Sequence, residues 1–236
     1  MSRLLLCIDT AGSRCAVAVL DMATKELLSR AEPDIGRGHA ERLMGLIAES
    51  LAAADARYED VGRIGVVVGP GSFTGLRVGV AAAKGLSLAL GVGAVGVSSL
   101  EALAEPHVGT GLSVLSVIDA KRGELYASLF GPSGIPWVPP RAIVPADLPT
   151  WLDGFATAGK VLCVGSGAAI AADAIGERLI LAGDGAEAVP DIAVVARIAA
   201  RRARTEPLTP LYLRGADAKP QGPTGISLMT GQATLP

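Results

Sequence analysis

The segment from Val66 to Gly85, VVVGPGSFTGLRVGVAAAKG, constrains the fold more than any other part of the chain. Its three consecutive valines predict the end of a buried strand, and the Gly-Pro-Gly that follows forces a turn. Ser72 then stands where a helix N-cap is expected, ahead of a long apolar helix. Such a junction brings free backbone N–H groups to one point, which is an anion-binding geometry. Gly69, Gly71 and Ser72 are therefore candidate ligands of a nucleotide phosphate.

Known nucleotide fingerprints do not match this turn. The P-loop pattern requires a lysine directly after its last glycine, and Lys84 lies too far along the helix. The dinucleotide pattern G-x-G-x-x-G also fails, because three residues separate Gly71 from Gly75. The turn is equally compatible with a tight connection, in which glycine only allows another backbone to come close.

Composition narrows the functional classes. The chain has 236 residues, half of them hydrophobic and only 3% aromatic, so its core must consist of Ala, Val, Leu and Ile. A formal net charge of −2 lacks the basic surplus of a nucleic-acid binder, so any contact with RNA would use a partner's surface. Three cysteines without CxxC spacing predict buried thiols in a reducing compartment, the cytoplasm. Asp9 interrupts the first apolar run too early for a signal peptide.

Two predicted hairpins carry an acid at the end of their first strand. The apolar run Leu4–Ile8 leads into Asp9 and Thr10, and the run Leu112–Ile118 leads into Asp119. This similarity suggests two subdomains that face a common cleft. A carboxylate with hydroxyls at a hairpin tip can hold phosphate or hydrated Mg²⁺, which adds Asp9 and Thr10 to the candidate nucleotide site. The alternative is that Asp and Gly only form the turn.

The chain divides into several predicted segments. We expect an N-terminal subdomain over residues 1–100 and a C-terminal one over 101–189, with a proline-rich irregular connection at 132–149. A helix near 190–204 is expected to pack back on the first subdomain. The polar, Gly- and Pro-containing residues 215–236 are predicted to be a flexible tail.

Two predicted helices, at residues 38–55 and 72–90, carry more apolar surface than one sheet needs. Small residues recur every four positions on the second, which permits close helix–helix contact. This surplus predicts a protein–protein interface, although burial of both helices within the fold is an equal alternative. The second helix also has the apolarity of a membrane span, but its glycines and its lack of aromatic anchors favour a globular α/β core and no membrane contact.

Five blocks occur in the order and spacing of the bacterial TsaB family, which the sequence resembles. They are LLCIDTAGSRCAVAVLD, GHAERLMGLI, VVVGPGSFTGLRVGVAAAKGLSLAL, VIDAKRGELYASLF and LTPLYLR. The resemblance is dense from Leu4 to Phe130 and returns from Leu208 to Arg214. It implies an α/β fold of the actin-like, Hsp70-like and sugar-kinase-like ATPase type, with two subdomains that each have a mixed sheet and flanking helices.

The resemblance also implies a function. TsaB proteins are non-catalytic subunits that bind and activate TsaD, together with TsaE, in forming threonylcarbamoyladenosine next to the anticodon of tRNAs that read codons beginning with A. For this chain we expect contact with tRNA only through the complex and no required cofactor, and its two apolar helices allow a homodimer when the partner is absent. The implied partner surface is the pair of helices. Its expected residues are His39, Leu43, Met44, Ile47, Leu51, Gly75, Gly79 and Ala83.

Other activities remain as alternatives. TsaD binds its metal through a His-x-x-x-His pair, whereas His39 is followed four residues later by Leu43, so no metal site is expected. The main rival is a Mg²⁺-dependent ATPase or small-molecule kinase that uses Asp9 and the Gly69–Gly71 turn. Ala11 stands where many relatives have a hydroxyl, which weakens ATP and Mg²⁺ binding there. A peptidase lacks a nucleophile or metal set around either histidine.

Overall fold

The computed structural model describes residues 4–155, 159–182, 189–204 and 207–214. The predicted tail at 215–236 lies outside the described residues. Within them the strands are β1 (Leu4–Asp9), β2 (Ala16–Asp21), β3 (Leu27–Ala31), β4 (Val61–Gly69), β5 (Gly93–Ser98), β6 (Ser113–Asp119), β7 (Leu125–Phe130), β8 (Pro136–Ile143), β9 (Val161–Val164) and β10 (Leu179–Leu181). The α-helices are α1 (His39–Ala53), α2 (Phe73–Leu90), α3 (Ser99–Ala104), α4 (Leu148–Asp153), α5 (Ala168–Ile175) and α6 (Ile192–Arg201).

The strands form two five-stranded sheets with the same topology. The first has the order β3-β2-β1-β4-β5 and the second the order β8-β7-β6-β9-β10. In each sheet the first three strands are antiparallel neighbours, and the last two run parallel to the central strand. The chain is thus two lobes built on one plan, as the paired hairpins of the sequence predict.

The first lobe buries both faces of its sheet, which explains the unbroken apolar run of β1. Leu4, Leu6 and Ile8 face one way, into a core that includes α1 and α2. Leu5 and Cys7 face the other way and pack against α6. A strand with both faces covered has no polar alternation, because neither side meets water.

Helix α6 returns from the second sheet to the first lobe and packs closely on β1 and β4. Gly65 of β4 allows this contact, because a Cβ there would lie 2.7 Å from the Cys7 sulfur and 2.8 Å from the Ala199 Cβ. Asp191 caps the helix by accepting a 2.7 Å hydrogen bond from the Ala193 N–H. The helix ends at Arg201, and Arg202 continues in an extended conformation.

Helix α3 lies between the two lobes. Its Ala102 belongs to the core that α6 covers, whereas its Leu103 packs with Val114 and Phe130 of the second sheet. At the end of α6, Arg202 forms an ion pair with Glu101 of α3, and Arg201 forms one with Glu105 just after α3. This helix therefore joins the lobes at the base of the cleft between them.

Two features differ from the sequence-based expectations or refine them. The proline-rich stretch 132–149 is not wholly irregular, because it contains β8. This strand lies at the sheet edge and, among the described residues, pairs only with β7, and an edge strand tolerates prolines that cannot donate to a second neighbour.

Helix α2 is the one helix of the described residues with the length and apolarity of a membrane span. One side of the helix, from Gly75 to Ala83, packs within the core beside β4, and the opposite side is exposed.

Candidate functional site

The two lobes enclose a cleft with a volume of about 700 Å³. The N-terminal end of α2 forms one wall and the β6–β7 hairpin forms the opposite wall. The segment 207–214 contributes a third side. Its polar and aromatic lining includes Ser99, Asp119, Lys121, Tyr126, Ser166 and Tyr212. This volume is typical of small-molecule sites.

The turn after β1 packs against the start of α2, and its Ala11 and Gly12 line the cleft together with Gly71 and Ser72. Thr10 Oγ1 donates a 2.7 Å hydrogen bond to the Gly75 carbonyl, and the Ser72 N–H donates a 2.7 Å bond to the Ala11 carbonyl. Ser72 Oγ accepts from the Gly75 N–H, as the predicted N-cap should. The bond to Ala11 uses the N–H of Ser72, which is one of the residues that the anion-binding interpretation assigned to a phosphate.

Glycines on α2 form the groove that receives this turn. A Cβ at Gly75 would lie 1.9 Å from the Thr10 carbonyl oxygen, and one at Gly71 would lie 2.5 Å from the Ala11 carbonyl oxygen. A Cβ at Gly79 would lie 2.5 Å from Thr10 Oγ1. The glycine spacing therefore serves close approach of the protein's own backbone. This arrangement is the tight connection that the sequence analysis gives as the alternative to phosphate binding at the Gly69–Gly71 turn.

Asp9 is buried and bonded within its own turn. Its Oδ1 accepts a 2.8 Å hydrogen bond from the Ala11 N–H. Burial raises the pKa of Asp9 from 3.8 to about 6, and the Ala11 N–H and Arg14 only partly oppose this effect. A ligand for Mg²⁺ should be charged and accessible, so this environment does not favour Asp9 as a metal or nucleotide ligand.

Asp119 occupies the matching position of the second lobe but has a different environment. It lines the cleft, and both the backbone N–H and the ammonium of Lys121 bond to its carboxylate at 2.7 Å. These bonds hold the pKa of Asp119 below its ordinary value. The structure thus does not bring the two acids together as a pair of Mg²⁺ ligands facing one cavity.

Within the residues that the structure describes, no three His, Cys, Asp or Glu side chains are grouped as a metal site. Nε2 of His39 lies 3.2 Å from the Arg14 carbonyl oxygen, so this histidine ties the start of α1 to the first hairpin. The three cysteines are free and buried, as their sequence context predicts.

The predicted partner residues separate into buried and exposed groups. On α1, Leu43, Ile47 and Leu51 are at most 2% exposed and pack in the core of the first lobe. On α2, Gly75, Gly79 and Ala83 are buried as well. These six side chains and glycines contact this chain's own core and so are not a docking surface in this structure. Met44 differs, because 48% of it is exposed.

A different set of side chains makes up the outer face of the two helices. Exposed small or apolar residues recur along both helices, beside the exposed charges Glu41, Glu49 and Lys84, and α1 and α2 lie next to each other in the fold. Leu88 is the most exposed large hydrophobic residue among those described, at 86%. We call this surface the outer helix face. Its members are Ala40, Met44, Ala48 and Ala52 of α1 and Ala81, Gly85, Leu88 and Ala89 of α2.

Comparison with known sequences places the chain in a family. The family described as TsaD, tRNA N6-adenosine threonylcarbamoyltransferase, matches residues 33–133. An uncharacterized protein of Mycobacterium tuberculosis (strain H37Rv) is 32% identical over 215 residues, which are 91% of this chain and 93% of that protein. The tRNA threonylcarbamoyladenosine biosynthesis protein TsaB of Escherichia coli K12 is 33% identical over 124 residues. That match spans about half of either protein, 52% of each.

The YeaZ structure of Pseudomonas aeruginosa superimposes with a TM-score of 0.74 at 26% identity, over 90% of this chain and 100% of that one. The chain belongs to the TsaB/YeaZ family. Its lobes have the actin-like ATPase fold, as the resemblance implied. A hexokinase of the ROK type from Thermus thermophilus shares that fold at a TM-score of 0.50 and 16% identity, over 83% of this chain and 98% of that one.

Sequence reasoning assigned no site role to the segment 207–214, although its LYLR block belongs to the TsaB resemblance. Leu211, Tyr212 and Arg214 all line the cleft. The signal available in the sequence was a tyrosine two residues before an arginine, in a chain with few aromatic residues. Nothing in that pattern indicates which lobe such side chains would contact.

Replacing Gly75 or, separately, Gly85 of α2 with alanine tests whether Gly75 forms the groove that receives the β1 turn. Gly75→Ala should lower the free energy of unfolding by about 1–3 kcal/mol or more, because its Cβ meets a backbone carbonyl that cannot move away. Gly85→Ala in the same helix should raise it by roughly 0.5–1 kcal/mol, because nothing lies within 4 Å of that Cβ. Urea unfolding measures both. Equal effects at the two positions would contradict the groove.

The raised pKa of Asp9 predicts a pH-dependent stability. Between about pH 4 and 6 the folded protein keeps a proton on Asp9 that the unfolded chain releases, so this carboxyl lowers stability as pH rises through that range. Asp9→Asn keeps the acceptor for the Ala11 N–H but cannot ionise. It should therefore raise the free energy of unfolding by about 1–3 kcal/mol at pH 8 and by little near pH 4. Urea unfolding at both pH values checks this, and a gain of equal size at both would contradict it.

Proposed function

We propose that this chain is a non-catalytic partner subunit that binds and activates a TsaD-type transferase in the formation of threonylcarbamoyladenosine on tRNA. Its membership of the TsaB/YeaZ family supports this proposal, as does its similarity to the E. coli tRNA threonylcarbamoyladenosine biosynthesis protein TsaB. The chain would act in the cytoplasm and contact tRNA only through the complex, with TsaE as a further component. It would supply a surface that stabilises the active state of the transferase and no reacting group.

The observation that carries the proposal is the outer helix face. Two adjacent helices present alanines, a glycine and two large apolar side chains, Met44 and Leu88, to solvent. Small residues let a partner helix approach closely, and exposed large ones supply apolar area to bury. Exposed apolar patches of this kind usually mark interfaces. The face also suits a second copy of the chain, which would explain a homodimer in the absence of the partner.

The geometry of the β1 turn favours this function over the rival ATPase. The Ser72 and Gly75 N–H groups at the start of α2 bond within the protein, and the Asp9 carboxylate is buried. An ATPase that used these residues would have to open the packed turn before binding phosphate. No ATP or Mg²⁺ is therefore part of the proposal.

Reconstitution tests the function directly. The assay measures threonylcarbamoyladenosine on tRNA, starting from the threonylcarbamoyl adenylate, with the catalytic subunit alone, this chain alone, and both together. We expect efficient transfer only from the mixture. Transfer by the catalytic subunit that is unchanged by this chain would overturn the proposal, and Mg²⁺-dependent ATP hydrolysis by this chain alone would favour the rival.

A charge on the outer helix face tests the surface. Met44→Glu and, separately, Leu88→Glu should weaken binding to the catalytic subunit by roughly 10- to 100-fold while the chain stays folded, because each places an unpaired charge in an apolar contact. Isothermal titration measures the affinity, and circular dichroism checks the fold. Ile135→Glu is the matched control, since Ile135 is 64% exposed and follows the β6–β7 hairpin in the other lobe.

The buried positions give a second control. Ile47→Glu would place a charge at a side chain that is fully buried, so it should unfold the first lobe rather than weaken binding selectively. If Met44→Glu and Leu88→Glu both bind the partner as well as the unsubstituted chain does, the outer helix face is not the partner surface.

A further inference from the structure

The segment 207–214 lines the cleft and contacts both lobes. On the first lobe, Leu208 is buried in the core that α1 and α2 cover, and the Leu211 N–H donates a 2.7 Å hydrogen bond to the Val68 carbonyl of β4. The Tyr212 ring lies 5.1 Å from the Phe73 ring at the start of α2. The Tyr212 hydroxyl also accepts a 3.0 Å bond from Arg77 Nε. The segment is therefore firmly attached to the first lobe.

Its last described residue holds the second lobe. Arg214 donates to the carbonyls of Ala120 at 3.1 Å and Lys121 at 3.0 Å, and its guanidinium also pairs with the Glu124 carboxylate. All three partners belong to the β6–β7 hairpin. Arg214 also lies over the Tyr126 ring of that hairpin, 5.8 Å from its centroid. Bonds from one guanidinium to a carboxylate and to two carbonyls are stronger than an ordinary surface contact.

The turn of the β6–β7 hairpin, which Arg214 contacts, has an unfavourable backbone conformation. Lys121 and Arg122 both adopt left-handed conformations, with φ of 62° and 57°. Residues with side chains disfavour this region, and two in succession persist only where neighbouring contacts hold them. The carbonyls that Arg214 contacts lie directly before and within this pair, so its bonds act on the strained turn.

Several stretches of the chain connect the lobes at the cleft. Helix α3 joins them where Ser99 lines the cavity. The chain crosses again between β10 and α6, and Val189 and Pro190 just before α6 line the cleft. The segment 207–214 adds a further connection, and each connection across a cleft restricts hinge opening between two lobes.

We propose that residues 207–214 are a strap, closed by Arg214 on the β6–β7 hairpin, that sets the opening of the cleft, and that releasing this clasp opens the cleft while both lobes stay folded. The strap is a conformational device of the chain itself and does not depend on which partner the outer helix face binds.

Trypsin tests the clasp at the hairpin, because Lys121 and Arg122 are exposed cleavage sites within the turn that Arg214 holds. Arg214→Ala should raise the initial rate of cleavage at these two sites about tenfold. Glu124→Gln, which weakens the clasp from the hairpin side, should raise the rate in the same direction. Arg178→Ala is the matched control, because it removes another arginine–carboxylate pair of the second lobe, with Asp153.

Double electron–electron resonance measures the distance between the two lobes. Spin labels on cysteines introduced at the exposed residues Ala53 and Thr150 report the separation of the lobes, since the native cysteines are buried. Arg214→Ala should lengthen or broaden this distance, and Arg178→Ala should leave it unchanged. An unchanged distance, or cleavage no faster in Arg214→Ala and Glu124→Gln than in the control, would show that the strap does not set the opening of the cleft and would overturn the proposal.

Discussion

The packing of the first hairpin turn into the glycines of α2 is the contact on which the first lobe depends. It fixes the end of β1 against the start of α2, and the core beneath both elements follows from that arrangement. The contact is made by backbone atoms at both sides, and the Thr10 hydroxyl and the Ser72 N–H donate hydrogen bonds across it to the Gly75 and Ala11 carbonyls. Backbone atoms cannot move aside as a flexible side chain can. The close packing of the turn therefore requires residues without a Cβ at positions 71 and 75, which are Gly71 and Gly75.

The two lobes use the same topology for different purposes. In the first, the hairpin turn is buried and its acid, Asp9, carries a raised pKa. In the second, the turn is exposed at the cleft and its acid, Asp119, pairs with Lys121. Burial converts one hairpin into a packing element, whereas exposure leaves the other dependent on Arg214 for support. The two lobes therefore share a backbone topology but not the side-chain chemistry of their hairpin turns.

The sequence predicts much of the fold and less of the site, for a physical reason. Strand–turn–helix order, the hairpins and the buried cysteines follow from local patterns, because periodicity and turn chemistry act over a few residues. The apolar stripe of α1 was assigned to a partner, yet Ile47 faces this chain's own sheet. A single sequence gives the width of an apolar face but not its neighbour. The glycines after β4 pose the same problem, since a phosphate and a backbone carbonyl both require a residue without Cβ. Strand β8 was missed because its prolines are permitted only at a sheet edge, which is a property of the whole sheet.

Helix α2 connects these features, because its different sides meet different neighbours. Its buried side receives the β1 turn at Gly75, its outer side carries Leu88, and its first turn holds the strap through Phe73 and Arg77. A helix moves nearly as a rigid body, so a displacement at any one of these sides reaches the other two. A partner that binds the outer helix face therefore binds the element that anchors the strap, and a preference of that partner for one strap position would couple its binding to the opening of the cleft. Under the proposed function, such coupling gives a subunit without a reacting group two surfaces through which to act.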